Sequence, residues 1–178
     1  MLMLGLMLVG AACSSDDDTP PASNTDIVED PIVKTDEELN AEAQSVSDAL
    51  GINIGLAGEY QIVGYNVNGE DQAQITFEIG EVTAMGRAAI GNVEDLSQIT
   101  QTFAFNETVE VNGVSAAVHY PDPEELAMYP ADSMGYIQAY DSSANITYCV
   151  IMLSDATVDG LSAALTDLMN GTSLAAAQ

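Results

Sequence analysis

Glu94 and Asp95 stand side by side a short way downstream of Arg87, and these three residues are the most chemically suggestive set in the chain. Adjacent carboxylates near a guanidinium could hold a cation or a small polar ligand. They equally build a structural ion pair, because a guanidinium grips a carboxylate with two parallel hydrogen bonds. That pair would pin the Gly91–Thr100 connection to a sheet. His119 is the only histidine. A zinc centre needs several His or Cys at ligand spacing, and a serine triad needs a nucleophile on a strained turn. Neither pattern is present, so no metal site is expected and His119 reads as a surface strand residue. Cys149 lies in an apolar run and reads as a buried thiol acting as a small hydrophobe. A catalytic thiol would need His119 beside it. Paired carboxylates for glycoside hydrolysis are compatible with the composition, but no Trp offers a sugar platform. No Gly-rich phosphate cradle joins a strand to a helix, and no cofactor is implied.

The charge balance narrows the partners. Asp and Glu number 28, against Lys34 and Arg87 alone, for a formal net charge of −26. Nucleic-acid binding neutralises phosphates with Lys and Arg, and two basic residues form no such patch. Docking on anionic lipid through a basic surface fails for the same reason. The charge keeps the protein soluble and repels other anions.

Residues Met1 to Ala12 read MLMLGLMLVGAA, an apolar run of signal-peptide length and too short for a spanning helix. The small residues Gly10, Ala11 and Ala12 precede Cys13. This pattern resembles the lipobox of bacterial lipoproteins. The resemblance implies a diacylglycerol on the Cys13 thiol and cleavage that leaves Cys13 as the new N-terminus. The alternative is an ordinary secretory signal cleaved near Ala12, with no lipid. The lack of a positive region ahead of the apolar run predicts a start upstream of Met1. Residues 13–34, SSDDDTPPASNTDIVEDPIVK after the cysteine, are acidic and rich in Ser, Asp and Pro. They bury too little apolar surface to offset chain entropy and read as a disordered tether. Asp16, Asp17 and Asp18 lack the loop geometry of a calcium site. Acidic residues soon after the cysteine also resemble a surface-export signal of some Gram-negative lipoproteins, which would imply the outer-membrane surface.

The elements that would position the chemistry span 35–171. Thr35 and Glu38 match a capping box, and Leu39, Ala43, Val46 and Leu50 share one helical face before Gly51. Strands follow at Tyr60–Val67 and, beyond the hairpin signal Asn68-Gly69, at Ala73–Ile79 with one wet face. Gly80-Glu81 leads into Val82–Ile90, and Gly91–Thr100 reads as a polar connection. Phe103–Val111 and Val114–Tyr120 flank Asn112-Gly113, a second hairpin signal. Met134–Tyr140 and Ile146–Leu153 form a last hairpin. A helix with Val158, Leu161, Leu165 and Leu168 on one face is capped by Ser154 or Asp155 and stops at Gly171. Residues 172–178 read as a frayed tail. The expected fold is therefore two-layer α+β, an antiparallel sheet of about six strands with both helices on one face and a polar face outward.

RAAIGNVEDLS at Arg87–Ser97 and TVEVNGVSAAVHY at Thr108–Tyr120 resemble a family of uncharacterised extracytoplasmic domains common in lipoproteins and secreted proteins of Gram-positive bacteria. The likeness covers roughly Gly51 to Met169. It implies fold and address, and carries no activity.

These readings lead to a lipid-anchored module of the cell envelope on the extracytoplasmic face. It would reach the membrane through Cys13 and dock an envelope protein or small ligand on a sheet face bearing Tyr60, Tyr65, Tyr136, Tyr140 or Tyr148. Two alternatives stay open. One is an envelope enzyme or enzyme inhibitor with a carboxylate site. The other is an acidic cation-binding structural protein.

Overall fold

We describe a computed structural model, in which residues 33–99, 103–122 and 134–176 are described. The signal, Cys13 and most of the tether lie outside them. Helix α1 (Asp36–Leu50) leads into β1 (Ile52–Asn53), β2 (Gln61–Asn68), β3 (Gln72–Ile79), β4 (Val82–Ile90), β5 (Phe103–Val111), β6 (Val114–Pro121), β7 (Gly135–Asp141) and β8 (Ile146–Met152). Helix α2 (Val158–Gly171) and β9 (Ser173–Leu174) complete the order. The main sheet has seven antiparallel strands in the order β2-β3-β4-β8-β7-β6-β5. Two hairpin-built halves thus meet at β4 and β8.

Local chemistry explains most boundaries. The Thr35 side chain accepts from the Glu38 amide, and the Glu38 carboxylate accepts from the Thr35 amide at 2.8 Å. This capping box satisfies two of the first-turn N–H groups that have no helical partner. The domain begins slightly earlier than its cap, because Lys34 Nζ lies 2.6 Å from Glu42 Oε1. Asn112 and Gly113 both have positive φ, at 52° and 76°, and close the two-residue turn between Val111 and Val114. The other Asn-Gly pair behaves differently. Asn68 still pairs with Gln72, and only Gly69 takes positive φ, so three residues make that connection.

Two further expectations change. Thr157, not Ser154 or Asp155, caps α2, its Oγ1 accepting from the Gly160 amide at 3.1 Å. The seven strands of the main sheet agree with the expected antiparallel sheet of about six. The tail expected to fray pairs as β9 with β1, Ile52 opposite Leu174, and the Ala175 amide donates to Gly51 O at 2.8 Å. The tail returns to the end of α1 because α2 leaves its C-terminus there.

Both helices contribute to one core on one sheet face. Val46 of α1 and Leu161, Ala164, Leu165 and Leu168 of α2 bury against Ile75, Phe77, Ala84, Ala88, Val118, Ile137, Tyr148 and Val150. Gly86 on this face is required by close approach. A Cβ there would lie 2.9 Å from both Ile75 Cγ2 and Leu168 Cδ1.

Two substitutions test this core by urea unfolding. Leu168→Ala removes a fully buried side chain and is expected to cost about 2–5 kcal/mol. Gly86→Ala overpacks the same spot and is expected to cost about 1–3 kcal/mol. Equal stability of Gly86→Ala and wild type would contradict the close α2–β4 approach.

Candidate functional site

The face of the sheet turned away from the helices carries the residues singled out by their chemistry. It is not the open polar face that alternation suggested. Reading across the strands, Gln74, Arg87, Cys149 and Gln138 are register neighbours on β3, β4, β8 and β7. The connection after β4 folds back over this row as a strap, Gly91–Ile99. Leu96 inserts from it and is 0 % exposed, packed with Ala89, Cys149 and Ile151 and bordered by Met85, Val93, Ile99 and Tyr136.

Polar side chains of the sheet hold the strap by its main chain. The Arg87 guanidinium donates through Nη1 to Leu96 O at 3.0 Å and to Ser97 O, and through Nε to Gln74 Oε1 at 2.9 Å. Gln138 accepts from the Leu96 amide at 2.7 Å and donates to Val93 O and Glu94 O, each at 3.0 Å. Thr147 Oγ1 donates to Gly91 O at 2.6 Å and accepts from the Val93 amide at 2.9 Å. Main-chain groups laid over a sheet must find partners, and these three side chains supply them.

The expected ion pair is therefore replaced. Arg87 does pin the connection, but through carbonyl oxygens and Gln74 rather than the Glu94 or Asp95 carboxylates. Glu94 and Asp95 are exposed. Glu94 contributes its carbonyl to Gln138. Asp95 Oδ1 accepts from the Ser97 amide at 2.9 Å and the Ser97 hydroxyl at 2.7 Å, shaping the turn that aims both carbonyls at Arg87. Burial lowers the basicity of Arg87, which is 8 % exposed, while Cys149 and Asp95 nearby act to raise it. Burial likewise pushes the Cys149 thiol well above its ordinary range. A thiol held neutral is a poor nucleophile, and Cys149 here fills space beneath Leu96. His119 is not beside it: Cys149 faces Gln138 across the β7–β8 pair, and His119 faces Tyr136 across β6–β7.

His119 joins an aromatic row that the sequence reading did not assemble. Its ring stacks on Tyr136 with centroids 4.6 Å apart and planes 6° apart, and meets Phe105 edge-on at 5.8 Å. Phe103 lies 5.3 Å from Tyr136. Phe105, on the edge strand β5, is 60 % exposed. His119 Nδ1 is buried with no hydrogen-bond partner, and burial lowers its basicity, with Asp95 opposing. Beside the row, Met85, Arg87, Ser97, Gln98, Ile99, Met134, Ile151 and Leu153 line a shallow recess of about 250 Å³. The expected tyrosine surface is not formed. Tyr148 is buried in the helix-side core, Tyr60 and Tyr65 pack against that core, and of these five only Tyr136 and Tyr140 lie on the strapped face. Tyr60 meets Phe77 edge-on, donates to Asp167, and has its pKa pushed up to about 12 by burial and then by that carboxylate.

What this arrangement does chemically is hold a loop on a sheet. Among the described residues, the carboxylates with shifted acidity are Glu38, Glu42 and Asp141, and hydrogen bonds lower all three. No three His, Cys, Asp or Glu side chains among the described residues are grouped as a metal would need. The donors that matter most, Gln138 and Thr147, carry no charge and match no motif. The signal that could have located them is β8 itself, whose unbroken apolar run marks a strand buried on both faces.

Two outcomes follow. In a Cys13→Ala background, Cys149 is expected to resist an aromatic disulfide reagent until the protein opens, and Leu96→Ala to speed its labelling at least tenfold; equal rates would contradict the strap. His119 has a folded-state pKa below its unfolded value, so its contribution is present above pH of about 6.5 and is lost as pH falls. Urea midpoints of His119→Phe are expected to fall less between pH 7 and pH 5 than those of wild type, and parallel curves would refute this. Comparison with family models, curated proteins and solved structures finds no match to this chain.

Proposed function

We propose that the protein is a lipid-anchored extracytoplasmic lipoprotein whose domain is a non-catalytic binding or accessory module of the cell envelope. The observation that carries the binding half is the division of the strapped face. Arg87, Gln138 and Thr147 are engaged with main-chain atoms of the strap. The row Phe105, His119 and Tyr136 beside it ends in a largely exposed phenyl ring on an edge strand. Exposed aromatic side chains are favoured anchors of interfaces, since they bury much area with few rotatable bonds. The anchor half rests on Met1–Cys13, which reads as signal and lipobox. No helix among the described residues is long and apolar enough to cross a membrane.

The anchor is tested by expressing the full precursor in a bacterial host and measuring the intact mass of the membrane fraction, with Cys13→Ala alongside. A diacylglycerol mass lost in the mutant is the expected result. A soluble product cleaved near Ala12 with a free thiol would remove the anchor from the account.

A further inference from the structure

Resting on the binding-module reading, we propose that β5 is a docking edge for an extended, Lys- or Arg-bearing segment of a partner protein, which adds to the sheet as an eighth strand. The two edges of the sheet differ. At the β2 edge, α1 packs over the strand, the Glu42 carboxylate accepts from the Tyr65 amide at 3.0 Å, and a bulge interrupts pairing at Val63. The helix cover and the carboxylate bonded to an edge amide keep that strand from templating another chain, whereas a bulge is common to both edges. Among the described residues the β5 edge pairs with β6 alone, and Ala104 to Thr108 are exposed in succession. A bulge at Asn106 leaves Glu107 to Val111 in regular register. Among the described residues, alternate main-chain groups along that stretch have no strand partner on their outer side.

The occupant is selected by charge. Glu107 shares the face of Val109, and Glu110 the face of Thr108 and Phe105, so a carboxylate flanks each side of the edge. Neither has an intramolecular cation to meet. Lys34 is bound to Glu42, and Arg87 is buried under the strap. The glutamates and the net charge of −26 repel a second copy of the chain and any acidic segment. They attract an added strand with Lys or Arg side chains on both of its faces, and the exposed Phe105 ring offers a further cation contact. Main-chain pairing gives affinity in such strand addition, and alternate side chains give selectivity.

The probe is a fluorescein-labelled (Thr-Lys-Lys)3 peptide, which as a strand carries Lys on both faces, titrated into the full chain and followed by anisotropy. Saturable binding is expected. Glu107→Lys with Glu110→Lys is expected to weaken it at least tenfold, and Glu107→Gln with Glu110→Gln to weaken it less, with both variants retaining the wild-type melting curve. N-methylation of alternate peptide amides keeps the charge and removes main-chain donors, and it too should weaken binding at least tenfold. Equal binding of methylated and unmethylated peptides would assign the effect to general attraction and overturn the proposal, as would no binding. A concentration-dependent dimer abolished by Thr108→Pro would give the edge to a second copy and likewise overturn it. Absence of peptide binding with lipid present on Cys13 leaves the envelope-module reading standing. Edge-specific binding without the lipid upholds β5 and removes only the anchor.

Discussion

Strand β8 is buried at every one of its seven positions, Ile146 to Met152, and most of the architecture follows from that constraint. A central strand with apolar side chains on both faces must be covered twice. Leu161, Leu165 and Leu168 of α2 cover Tyr148, Val150 and Met152. The opposite side chains, Cys149 and Ile151, need a second cover, and no third helix is present among the described residues. The chain instead lays its own β4–β5 connection across them, with Leu96 as the plug. A loop laid on a sheet brings unpaired amides and carbonyls, which cost roughly 1–3 kcal/mol each if left unmet. Arg87, Gln138 and Thr147 are the answer to that cost.

Arg87 gains a meaning different from the one its surroundings suggest. In a chain so acidic, the lone arginine looks destined for a carboxylate. A guanidinium has five donors in a fixed fork and is more weakly hydrated than an ammonium. It is therefore suited to a buried position where several main-chain oxygens converge. The carboxylate of Asp95 works one step away, folding the turn that presents Leu96 O and Ser97 O. The exposed end of the aromatic row and the β5 edge are surfaces that this framework does not use.

Local signals in the sequence located nearly every element, because each rests on chemistry within a few residues. The capping box at Thr35 and Glu38, the Asn112-Gly113 turn and the apolar stripe of α2 are examples. The frayed tail and the open outer face were misread because both depend on distant partners. Leu174 finds Ile52, and Leu96 finds Gln138 and Cys149. The aromatic row was hidden for a similar reason. Phe105, His119 and Tyr136 come from three strands and meet only through register. The run ITYCVIM carried the hint, since a continuous apolar strand needs cover on both sides.

The strap is part of the folded core rather than a surface loop. Native-state hydrogen exchange of the Val93 and Leu96 amides tests this directly, since their acceptors are Thr147 Oγ1 and Gln138 Oε1. Both amides are expected to exchange as slowly as those of β8, and Gln138→Leu is expected to speed Leu96 selectively. Exchange of both at the rate of an unstructured peptide, unchanged by Gln138→Leu, would contradict it.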